Sequence, residues 1–117
     1  VIEMKNNIAV IIRHAPFRTI RNKESLRMCV GATLKDNEVT VIFLGPGVVS
    51  AGTIQADMIG APDLEPEFEA FNMMKIRCLA ELGAVKKYNS DLRDGIETID
   101  KNGIARILAE SDVVISW

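Results

Sequence analysis

The chain has 117 residues, 48% of them hydrophobic and 26% charged, with a formal net charge of −2. That size and balance suit one soluble globular domain and exclude a disordered or fibrous chain. The small net charge and 5% aromatic content provide neither the electrostatic footprint nor the stacking platforms of a nucleic-acid binder. The first segment, Val1 to Asn7, precedes an apolar run too short for a signal peptide, and no apolar stretch reaches transmembrane length.

Ile8-Ala9-Val10-Ile11-Ile12 is a continuous, β-branched run, as expected of a central strand covered on both faces. It ends at Arg13-His14-Ala15-Pro16, where Pro16 keeps Ala15 out of helical geometry. After the loop through Thr19, a helix is expected from about Ile20 or Asn22 to Leu34, with Leu26, Cys29, Val30 and Thr33 on one stripe. Asp36-Asn37 is a turn signal, and Val39 to Leu44 is the second apolar strand, broken at Gly45-Pro46-Gly47. Residues 48–60 allow a short helix carrying Val48, Val49, Ile54, Met58 and Ile59, ended by Gly60-Ala61-Pro62. Asp63-Leu64-Glu65-Pro66 opens the next helix, whose apolar stripe is Phe68, Phe71 and Met74.

Met74-Lys75-Ile76-Arg77-Cys78 alternates as a short half-buried strand, and Leu79-Ala80-Glu81-Leu82 consists of good helix formers. Cys78 is therefore expected at a strand-to-helix junction, with the helix running to about Lys87. Asn89-Ser90-Asp91 would cap one further helical turn stopped by Gly95, and Ile96 to Asp100 alternates like an outer strand. Asn102 would cap a helix from Gly103 to Glu110, with Ile104, Ile107 and Leu108 inward, and Val113 to Trp117 forms the last strand. Strands alternating with helices about five times predict an α/β chain with a parallel sheet and helices on both faces.

Two places carry chemistry. A cysteine at the carboxyl end of a strand sits where open α/β sheets bind ligands, and the following helix together with Lys75, Arg77, Lys86 and Lys87 would stabilise its thiolate. The alternative for Cys78 is a small buried hydrophobe, the role favoured for Cys29. The loop after the first strand holds Arg13, the single histidine His14, and Arg18, a basic set suited to an anion; Arg77 is a further candidate for anion or partner binding. The two cysteines form neither a CxxC nor a zinc-like spacing, so a reducing, cytoplasmic setting without a metal is expected. No GxGxxG or GxxxxGK[ST] loop is present, and Asp91 to Gly95 matches only a fragment of a calcium loop.

Taken together, these segments resemble the DsrE/DsrF-like (DsrEFH, sulfur-relay) family. The likeness covers nearly the whole chain: the first strand with Ala15-Pro16-Phe17-Arg18-Thr19, the run Val39 to Val48 with its glycine-valine turn, Lys75-Ile76-Arg77-Cys78, and the closing Leu108 to Trp117. The resemblance implies a three-layer α/β/α fold around a mostly parallel five-stranded sheet, with flavodoxin-like layering, and a homo-oligomer, a trimer or hexamer. It implies that Cys78 carries sulfane sulfur as a persulfide between donor and acceptor proteins, in tRNA thiolation or sulfur oxidation, without a cofactor. It equally implies an alternative, since some family subunits are non-catalytic partners or small-anion binders.

Overall fold

The computed structural model describes residues 6–15, 21–33, 37–53 and 64–117. In chain order the elements are β1 (Asn7–Ile12), α1 (Arg21–Thr33), β2 (Glu38–Phe43), a 3-10 helix (Gly45–Val49), α2 (Glu65–Met74), β3 (Arg77–Glu81), α3 (Leu82–Tyr88), β4 (Glu97–Ile99), α4 (Lys101–Glu110) and β5 (Val113–Ser116). The five strands form one parallel sheet in the order β4-β3-β2-β1-β5. The chain steps in one direction from β1 to β4 and then returns across the sheet to β5. With right-handed crossovers, α1, α2 and α3 lie on one face and α4 on the other.

Packing follows that division. Val10, Ile12, Val41, Phe43, Cys78 and Ala80 share one core with Leu26 and Cys29 of α1, Phe68 and Phe71 of α2 and Ala84 of α3. Register aligns them in rows, Val10–Val41–Cys78 and Ile12–Phe43–Ala80. Phe68 links Phe43, at 6.1 Å between ring centroids, to Phe71, at 5.7 Å. Burying a side chain such as Phe43 contributes roughly 2–3 kcal/mol. Ile11, Ile42 and Leu79 are buried on the opposite face. The continuous apolar runs in β1 and β2 thus reflect cover on both sides. A polar link also joins two of the helices over this core. Lys23 Nζ lies 2.9 Å from Oε1 of the buried Glu67, tying α1 to α2.

Several boundaries differ from expectation. α2 extends through Met74, with Lys75 as its left-handed C-cap (φ 57). β3 begins only at Arg77, and α3 starts at Leu82 rather than Leu79. Asn89 to Asp91 add no helical turn. Asn89 (φ 49) terminates α3, and the chain then bridges back, with Arg93 N–H donating to Ala51 O at 3.0 Å and Thr53 N–H to Asp91 O at 2.8 Å. The cap of α4 is Asp100, whose carboxylate accepts from Gly103 N–H at 2.8 Å, and not Asn102, which lies inside the helix. The expected short helix over 48–60 is observed only as the 3-10 helix ending at Val49, and its part over 54–60 lies outside the described residues.

Candidate functional site

Cys78 is the second residue of β3, paired with Val41 on the core face. Its placement corrects the expectation of a strand-to-helix junction. The residue followed by a helix is Glu81, about 10 Å further along the strand at the usual rise per residue. Alternation sends Arg77 to the other face, where Nη2 forms an exposed pair with Glu97 Oε2 at 3.7 Å. Lys86 and Lys87 lie in the last turn of α3, not beside the thiol. Cys78 is only 7% exposed, toward a cavity of about 430 Å³ floored by Phe68, Phe71 and Ile76. The rim of that cavity carries Glu69, Asp91 and Asp94, while Arg93, which also lines it, is ion-paired with Glu65.

Desolvation has the expected consequence. Burial pushes the Cys78 thiol up to about 12 from the ordinary 9.0. Cys29, fully buried, is also pushed up to about 12, by burial and then by the charge of Cys78, partly offset by a backbone hydrogen bond. Both thiols therefore stay protonated in the folded chain where an unfolded chain would begin to ionise. The sign follows from proton linkage: their contribution to stability is complete below about pH 9 and is lost as pH rises from 9 toward 12. Each thiol should remove roughly 1.4 kcal/mol per pH unit in that window. Urea midpoints measured across the window for the wild type and Cys29→Ala should show the shallower fall in the variant; parallel curves would refute it.

The basic set does not form one site. Arg13 and His14 are exposed at the carboxyl end of β1, whereas Arg77 opens β3 at the opposite end of the sheet; Arg18 lies outside the described residues. The register pairs Ile12 with Phe43 and Phe43 with Ala80, which puts Arg77 some four residues down-strand from the level of Arg13.

What the fold does bring together, at the carboxyl ends of β2, β3 and β4, is a different group of residues. Glu81 ends β3, and Oε1 accepts from Gly45 N–H at 3.2 Å. Gly45 takes a left-handed backbone (φ 51) that a side chain would disfavour. α3 and α4 leave the sheet on opposite faces, and a cleft of about 470 Å³ opens there among Pro46, Glu81, Gly83, Lys87, Tyr88 and Lys101. This is the position at which open α/β sheets bind ligands. The sequence marks Lys87 only as a cation near Cys78 and Pro46 only as part of a chain break, and it does not single out Glu81, Gly83, Tyr88 or Lys101 as site residues. The available signal was Cys78-Leu79-Ala80, an apolar run that reads as a strand covered on both faces and so carries β3 on to Glu81. Among the described residues no group of three His, Cys, Asp or Glu comes together as a metal site, and no helix is long and apolar enough to cross a membrane.

Comparison with known proteins agrees with this architecture. The crystal structure of the ychN protein from E. coli superposes with a TM-score of 0.81 over 97% of this chain and 100% of that one, at 15% identity, a likeness of fold. No curated protein matches the chain. The model of the DsrE/DsrF-like family matches residues 6–117, and the chain belongs to that family.

Proposed function

We propose that this chain is a non-carrying member of its sulfur-relay-related family, a binding or partner subunit and not a persulfide carrier. One observation carries the reading: the β3–α3 junction holds Glu81, while both cysteines of the chain are buried. A persulfide forms when an accessible thiolate attacks a donor sulfur, and access and thiolate fraction together set its rate. Cys78 is poor on both counts, since it is buried and its thiol is pushed up to about 12. The role left for the carboxyl edge of the sheet is recognition, by Glu81 and the lysines around it.

The test is intact mass after incubation of the native chain with glutathione persulfide. No one-sulfur gain is expected, while the same chain in denaturant should alkylate at both cysteines. A one-sulfur adduct mapped to Cys78 in the native protein would overturn the reading and restore the carrier role, with its donor and acceptor partners.

A further inference from the structure

The cleft at the carboxyl ends of β2 and β3 is built from groups that the fold itself leaves available. Glu81 commits Oε1 to Gly45 N–H, and among the described residues its other oxygen has no partner. Lys87 and Lys101 take part in none of the ion pairs among those residues. The Lys87 ammonium stands 5.5 Å above the ring of Tyr88, which is 37% exposed. Between these charges the wall is mainly apolar, formed by Pro46 and Ala84. The volume, about 470 Å³, falls within the range of roughly 300–1,000 Å³ usual for small-ligand sites.

We infer that this cleft binds a small zwitterion, an amino-carboxylate with a short aliphatic body. Its ammonium pairs with the free oxygen of Glu81, its carboxylate with Lys87 and Lys101, and its methylenes lie against Pro46 and Ala84. The charge pattern selects this class over simpler ones. A plain anion drawn to the lysines meets the Glu81 carboxylate, and a plain cation drawn to Glu81 meets two ammonium groups. A molecule carrying both charges satisfies all three. The inference rests on the reading of this edge as a recognition site, but the two fail separately: sulfur loading is read by mass, ligand binding by heat.

The experiment is isothermal titration of the purified chain with γ-aminobutyrate and with L-alanine, alongside acetate and methylammonium as single-charge probes. At least one zwitterion should bind, and bind more tightly than either single-charge probe. Glu81→Gln keeps the shape and removes the charge, and should weaken that binding by about tenfold or more. Gly83→Phe should abolish it by filling the cleft. A Cβ at Gly83 meets no heavy atom within 4 Å, so the fold should be kept, as an unchanged melting curve would confirm. No heat with either zwitterion, acetate binding as tightly as they do, or wild-type affinity in Glu81→Gln would each overturn the proposal.

Discussion

Glu81→Cys is expected to give this chain the fast thiol that it lacks. At neutral pH, iodoacetamide should label the new cysteine about 10²-fold faster than Cys29 or Cys78 in the same folded molecule. The magnitude comes from the thiolate fraction, offset in part because a thiolate of higher pKa is the stronger nucleophile. A thiol pushed from 9.0 to about 12 loses three powers of ten in that fraction, and both natural cysteines are in that position. A thiol at the end of β3 would instead be half-buried on an open cleft that Lys87 and Lys101 also line. The same variant incubated with glutathione persulfide should gain one sulfur, at residue 81 only. Labelling of wild-type Cys78 at the rate of the new cysteine would show that burial does not control the thiol, and the assignment of the junction would fall with it.

Gly47→Ala should be the most damaging single-methyl change on the cleft side of the sheet. A Cβ on Gly47 would stand 2.0 Å from the carbonyl oxygen of Ile12 and 2.8 Å from its carbon. Both are backbone atoms at the end of β1, and that oxygen also accepts from Leu44 N–H at 2.9 Å. No flexible side chain is available to yield, so β1 and the 3-10 helix must separate. A loss of about 4 kcal/mol is expected, which consumes much of the roughly 5–15 kcal/mol stability of a typical domain. Gly83→Ala provides the contrast: its Cβ enters open space within α3, and replacing a helical glycine should stabilise by up to about 1 kcal/mol. Urea denaturation of the two variants should move their midpoints in opposite directions. A Gly47→Ala midpoint equal to wild type would refute the close approach.

The close approach at Gly47 also bears on what could be read without the fold. Gly45-Pro46-Gly47 is legible as a chain break from residue types alone, but its two glycines serve different ends. Gly45 permits a left-handed turn and Gly47 permits contact with β1. That second reason exists only once β1 and β2 lie side by side.

The same division runs through the molecule. β1, β2 and α1 were visible in the sequence because each has an unambiguous hydrophobic pattern: continuous β-branched runs for two strands covered on both faces, and a stripe of three- and four-residue spacing for a helix. The alternation of these patterns was enough to imply a parallel α/β sheet, and the resemblance built on them led to the family. Leu79-Ala80-Glu81-Leu82 reads as helix by propensity, whereas the short apolar run Cys78-Leu79-Ala80 fits a fully covered strand equally well, and periodicity alone cannot tell the two apart. Pairing decided it. β3 takes its register from Thr40 to Phe43 of β2, and this draws Cys78, Leu79 and Ala80 into the sheet and leaves Glu81 as its last residue. A shift of three residues along one strand moved the thiol from an exposed rim to the core and put a carboxylate at the rim. No local propensity contains that choice, since its free energy comes from the hydrogen bonds and apolar surface of neighbouring strands.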